Sequence, residues 1–562
     1  MSTPNRISIA TQLLAIAFSL SVLAARTAQA QSNPATPPAS PFHEDLLAEI
    51  SPGAEVKLTY ASNHHLAWVE NLSGKRTVRL DAKKQGGEYD DVQRLEISRD
   101  ESHFVFSGKR GSEWIFVLDG QEHANGYTYV ASAAFQPGGT SIAYTACKEK
   151  KCHLIVDGAE TGAEYEEISY PRYSPDGKRI AILAKQGKKW IAVVDGKQLG
   201  PELDQVAFTS WGFSRSGTRF YCTGREKNIW LHVVDGTSTP GFEAISRLAF
   251  SRDGEHYAYG GADAKGGLKK QKVFGTIIKD GQPVANYEGK GMMGELSALG
   301  GAREIMLGGV HELRTDFHGV STPEFNPDGQ LVYAARRDKG DVAVFVGADA
   351  GPGFDEVLSP VIFAEDSRHF AFIARQGGDF VEVRDNKPVL TIPAGKRGAT
   401  EVGWIAISLD ASHLAYETVS GGRNFKAAAT LRAYRTAVLD GKPGQEYNAL
   451  GINSFGFDPD SHHFFYEVIG AEADRDLVNV DGHESRLYDT VTNIRYLSDG
   501  KSVAFVARDG SRFLGVTFAL SSSTSLPTVS TASNATPTPG RLLKLDSRSQ
   551  DERLGSSPTP SH

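Results

Sequence analysis

Six histidines occupy one point of a recurring pattern. His65, His103, His256, His369, His413 and His463 each stand immediately before an apolar-rich run such as FVFS, YAYG or FAFI. Imidazoles serve as general bases, charge switches and metal ligands. Other copies hold Arg179, Arg219, Ser141 or Ser502 at the same point. A position that recurs with a repeat is carried round the fold, so these side chains are spread apart and do not converge on one metal. They read as polar residues at the mouths of hairpins. A sharper reading is a face that gains positive charge below about pH 6.5. DPDSHH at Asp458 resembles a metal patch, but it occupies the standard turn position and reads as a turn. No metal or cofactor is expected.

Other catalytic signatures are missing. The chain has no Gly-x-Ser-x-Gly elbow, and GFSRSG at Gly212 has its second glycine displaced. No His-Glu-x-x-His, P-loop or Gly-x-Gly-x-x-Gly stands in a suitable setting. No catalytic residue is named.

Basic side chains are the stronger functional hint. Lys185, Lys188, Lys189, Lys265, Lys269, Lys270, Arg336, Arg337, Arg423, Lys426, Arg432 and Arg435 fall in or beside loops between the second and third apolar runs of their repeats. Two of these loops, GGADAKGGLKKQK from Gly260 and SGGRNFKAAATLRAYR from Ser420, are long insertions. Length variation on one face marks a binding face, and a basic rim attracts an anionic partner. The plainer reading is that Lys and Arg solvate hairpin tips and protect sheet edges. The whole chain has the opposite balance, a net charge of −8, so nothing global points to nucleic acid.

The elements that carry these residues follow from the repeat. Copies such as YSPDGKRIAI at Tyr173, FSRDGEHYAY at Phe250 and FNPDGQLVYA at Phe325 recur at about 38 residues, the range of propeller blades. Each is followed by a second mark, such as VLDG at Val117, VVDG at Val193 or NVDG at Asn479. Short β-rich runs parted by Asp-Gly read as hairpins. One copy spells four strands, ISYPRYS, RIAILAK, KWIAVVD and PELDQV. The expected fold is all-β, a tandem β-propeller of about twelve four-stranded blades, one of them degenerate around LGGAREIMLGG. Two six-bladed propellers, residues 44–285 and 286–520, are the simplest division, with seven plus five as the alternative.

The last repeat lacks its fourth strand, and HEDLLAEIS from His43 resembles one. Residues Leu46 to Ile50 are expected to complete the final blade beside Phe513 to Phe518 and leave no free edge. Residues 1–30 read as a signal peptide: Arg6, an apolar run from Ile7 to Ala25, and Ala28-Gln29-Ala30 for cleavage. Its removal takes Arg6 and Arg26, moving the charge from −8 to −10. No later segment is apolar enough to span a bilayer. A linker, residues 31–43, follows, and residues 521–562 form a Ser/Thr/Pro-rich tail expected to be disordered. Cys147 and Cys152 flank KEKK, a spacing that suits a cross-strand disulfide in an oxidising compartment. Cys222 reads as a core residue.

The pattern [FY]-S-x-D-G-x-x-[IFY]-A-[FYI], at Tyr173–Ile182 and Phe250–Tyr259, resembles the propeller repeats of periplasmic TolB and its WD-like relatives. The resemblance covers most of residues 55–520. It implies a non-enzymatic propeller that binds proteins at the cell envelope. This chain has about twice the repeats of TolB. Too few residues precede them for TolB's separate N-terminal domain. The expectation is therefore a periplasmic or secreted scaffold binding a protein or an anionic glycan. The alternative is a propeller lyase or hydrolase acting on a polysaccharide.

Overall fold

A computed structural model describes residues 40–520, apart from 132, 266–271, 291–322, 338–339, 365–368, 393–398, 421–433, 473 and 499. All the regular elements among them are β-strands.

The fourth blade shows the plan. Its first strand comes in two pieces, Glu167–Ile168 and Arg172–Tyr173. Ile180–Gln186, Lys189–Val194 and Lys197–Gln198 follow in antiparallel order. Asp195 and Gly196 make the turn between the last two, at φ of 52° and 77°. Two successive left-handed residues give the primed turn whose twist matches that of the flanking strands, and Asp-Gly tolerates it best. This is why the dipeptide recurs.

Eleven four-stranded blades of this kind are present among the described residues. In every blade with a long first strand that strand is bulged, and in blades 3, 4, 6 and 8 it is split in two. Each blade packs on the next in chain order, and blade 11 packs on blade 1, which closes a propeller ring. Apolar residues fill the gaps between blades. Val69 and Val78 of blade 1 meet Val92, Phe104 and Phe106 of blade 2. Leu183 and Ala192 of blade 4 meet Trp211, Phe220 and Cys222 of blade 5. A blade is therefore half of two cores, and none is stable without neighbours.

Two expectations change. PELDQV is not the fourth strand: that strand starts directly after the Asp-Gly turn. Leu203 only bridges back to Trp190, and Gln205 already opens the next blade, Gln205–Phe213. The sequence signal at Leu203 is a buried anchor ending one blade, with Tyr89, Tyr127 and Tyr165 as its counterparts. The boundary drawn at 285/286 falls inside the strand Gln282–Lys290. The degenerate repeat around LGGAREIMLGG, and with it a twelfth blade, lies outside the described residues.

The ends meet as expected. The strand Phe42–Glu49 is the fourth of blade 11 and lies, from Glu44 on, beside Arg512–Ala519.

Candidate functional site: two faces of the blades

The recurring histidines all have the same partner. In each case Nδ1 lies 2.5–2.8 Å from an aspartate Oδ2: His65 with Asp81, His103 with Asp119, His256 with Asp280, His369 with Asp385, His413 with Asp440 and His463 with Asp481. Each aspartate is the first residue of the turn after the third strand, all at positive φ. Its second oxygen accepts the N–H of the residue after the histidine, as Phe104 N–H donates to Asp119 Oδ1 at 2.8 Å. Where the histidine is replaced, Ser141 and Arg179 reach Asp157 and Asp195 in the same way.

The turn after the first strand is tied to the same point. His103 N–H donates to Ser98 Oγ at 2.9 Å, and Ser98 Oγ–H donates to Asp100 Oδ1 at 2.6 Å. One face of the ring is thus a circle of side-chain-locked hairpin mouths. Burial alone would raise the Asp440 carboxyl, but hydrogen bonds from His413 and the Leu414 N–H outweigh it and hold the group below the usual carboxylate range. A signal for these pairs was present in the sequence: histidine and aspartate lie 16 residues apart in blades 1, 2 and 8.

The opposite face carries the basic loops, and several of their charges are neutralised. Lys189 reaches Asp204 of the next blade at 2.7 Å, and Lys75 reaches Asp90 likewise at 2.6 Å. These aspartates also accept turn N–H groups, Asp204 from Lys227 at 2.9 Å and Asp90 from Gly111 at 2.7 Å. Lys185 pairs with Glu167 of its own blade. Arg337 is turned onto Asp341. Arg435 points inward, 2.8 Å from the fully buried Glu417. Lys188 remains exposed at a hairpin tip, as do Lys150 and Lys151 beside the Cys147–Cys152 disulfide, with no ion pair among the described residues. The side chains of Lys265 and Arg336, and the whole of Lys269, Lys270, Arg423, Lys426 and Arg432, lie outside the described residues.

The buried acids held above their usual range were not visible in the sequence. Glu382 and Glu467 are pushed up to about 7, chiefly by burial. Glu417 is raised for the same reason despite Arg435. Glu417 and Glu467 occupy the same repeat position, where Val69, Leu183 and Ile373 stand in other blades. In blades 4, 6 and 8 a first-strand serine does the local work instead: Ser169 Oγ accepts the Leu183 N–H, and Ser246 and Ser359 act alike. With 1% and 8% exposure, Glu382 and Glu467 are out of reach of a polymer substrate. His232, with no exposed surface, is held neutral by burial, its pKa pushed down to about 3. Its ring lies 2.8 Å from Thr223 Oγ1 and 3.1 Å from the Ser246 carbonyl of the next blade.

No group of three or more His, Cys, Asp or Glu that could hold a metal occurs among the described residues. No helix among them is long and apolar enough to cross a membrane.

Blades, locked turns and shared inter-blade cores together define a β-propeller repeat protein. No family model matches the chain, and no curated protein matches it. Among solved structures it is similar to the β-propeller domain of the Trilobed protease from Pyrococcus furiosus, at 14% identity over 56% of this chain and 94% of that one, with a TM-score of 0.23. It is also similar to the Myceliophteria thermophila Cps50 (Swd1) β-propeller domain, at 10% identity over 60% and 98% of the two chains, with a TM-score of 0.25. A third likeness is to prolyl endopeptidases, at 13% identity over 68% and 54%, with a TM-score of 0.27. At these values the fold assignment rests on the blades themselves.

Proposed function

We propose that this is an exported, non-enzymatic scaffold that engages an anionic partner, a protein surface or a glycan, through its second-to-third-strand loops. The carrying observation is how the lysines divide. Lys185 and Lys189 are tied down as struts, while Lys150, Lys151 and Lys188 stand exposed at hairpin tips on the same face. Charges not needed to hold the blades are free to meet a partner. The Cys147–Cys152 disulfide, at the root of one such tip, supports export to an oxidising compartment.

The test is capture of partners from native cell envelopes by the full-length mature protein, eluted by a salt step. Replacing Lys150, Lys151 and Lys188 with Ala should weaken capture and flatten its salt dependence at unchanged melting temperature. Capture that is unaffected sinks the reading. Recovery of polysaccharide that is shortened during incubation would instead favour a polysaccharide-cleaving enzyme.

A further inference from the structure

Two arginines stand on the inner wall of the ring with no acidic partner among the described residues. The first strands of successive blades touch, as Ala399–Ile407 touches Leu450–Phe457, and ring the central axis. Arg172 begins the second piece of that strand in blade 4. Arg247 lies in the break between its two pieces in blade 6, Ala244–Ile245 and Ala249–Phe250.

Arg172 crosses from blade 4 onto blade 5. Its guanidinium lies over the Tyr170 and Trp211 rings, 5.1 and 4.6 Å from their centroids. It donates to the Trp211 carbonyl and to the Tyr170 phenol oxygen. Gly212 lets it cross. A Cβ there would come 3.0 Å from Arg172 Nη1, and the backbone stands at a φ of 140°. Tyr221 pairs with Gly212 across blade 5 and so flanks the same spot. Burial raises the Tyr221 phenol, and the charges of Arg172 and Arg247 both oppose that rise. Two guanidinia from different blades thus act on one hydroxyl.

What these side chains offer is donors. Part of the Arg172 fork is spent on the two bonds above, and the rest is open. Arg247 is exposed, and its guanidinium meets no acceptor among the described residues. The half-buried Tyr170 and Tyr221 O–H groups meet none there either. Two charges are left unbalanced in a chain whose net charge is −8. The blades do not need the arginine. Where Arg172 pairs with Ala181, blades 3, 6 and 8 set Ala134, Ala249 and Ile362 against Ala143, Ala258 and Ala371.

We propose that Arg172 and Arg247, with Tyr170 and Tyr221, form an anion site on the inner wall of the ring that takes a phosphate group. Two unbalanced guanidinia match a dianion, whereas a carboxylate would answer only one of them. The planar arginine fork suits phosphate oxygens. The site is built on first strands and is separate from the second-to-third-strand loops.

Equilibrium dialysis of the full-length protein against radiolabelled inorganic phosphate, at constant ionic strength, is the test. Binding should saturate near one phosphate per chain, with sulfate competing and acetate not. Arg247→Gln should weaken it about tenfold or more at unchanged melting temperature, since that side chain holds nothing in the fold. Arg172→Lys, which keeps the charge and loses the fork, should weaken it as well. Glycerol 3-phosphate separates the two sources of the group: competition upholds the site for an ester, and its failure upholds it for free phosphate. Binding that does not saturate overturns the proposal. So does saturable binding that acetate displaces equally well, or that Arg247→Gln leaves unchanged.

Discussion

Replacing Glu467 by Gln should change how stability depends on pH while hardly changing stability in acid. The carboxyl is buried against Ser454 with Asp476 nearby, and it titrates at about 7 in the fold against 4.5 in the unfolded chain. A raised folded value means that its contribution is fully present below 4.5 and is lost as pH climbs through 7. Across that interval the loss is about 3 kcal/mol. Glutamine mimics the protonated acid, so the variant should match the wild type near pH 4 and exceed it by about 3 kcal/mol near pH 8. For a fold of this size that is a rise in melting temperature of about 3 °C. Melting both proteins at the two pH values is sufficient. A difference that is the same at both pH values would refute the reasoning, because it would mean that Glu467 is not buried as a neutral acid.

Other outcomes follow from single contacts. Glu382→Gln should behave as Glu467→Gln does, with a gain confined to neutral and alkaline pH, because Glu382 is raised to about 7 by the same burial. Asp119→Ala should cost about 1–3 kcal/mol in urea unfolding, since it strips the partner from the Phe104 N–H and the His103 ring together; Asp119→Asn should cost less. Gly108→Ala should cost about 1–3 kcal/mol in thermal melts, because its Cβ would fall 2.4 Å from the buried Tyr89 ring. Reducing Cys147–Cys152 should cost no more than about 2 kcal/mol by chemical unfolding, because the bridge closes only a short hairpin that its ladder already holds.

Repetition made the fold legible. Asp-Gly at VVDG and SPDG, each beside an apolar run, fixed hairpins, and their recurrence fixed blades. Even the closing strand was readable, because HEDLLAEIS supplied what the last repeat lacked. The fourth strand was misread at PELDQV because two signals overlap there. The buried Leu203 ends one blade, and Gln205 starts the next with no loop between them. The site was harder. The histidine position was plain, but its meaning lay in an aspartate on another hairpin. The lysines were visible as charges, but Asp204 and Asp90 are contributed by a neighbouring blade. Glu382, Glu417 and Glu467 looked like ordinary strand glutamates, since exposure depends on which face a strand presents. Only their places in the repeat marked them: other blades carry Val69, Leu183 or Ile373 where Glu417 and Glu467 stand, and Val78 or Ala192 where Glu382 stands.

Asp-Gly is also the dipeptide most prone to ageing. The backbone amide nitrogen of the following residue can attack an aspartate's side-chain carboxyl carbon, expelling water and closing a cyclic imide, which water reopens as an isomerised backbone, and glycine offers no side chain to obstruct it. In these turns both carboxylate oxygens are already engaged, Oδ1 by a strand N–H and Oδ2 by a histidine, arginine or serine. The bonds that lock each hairpin mouth therefore also slow its chemical decay. The clock of this protein should run at the rate at which individual blades open, and the first damage should appear in whichever blade opens most often.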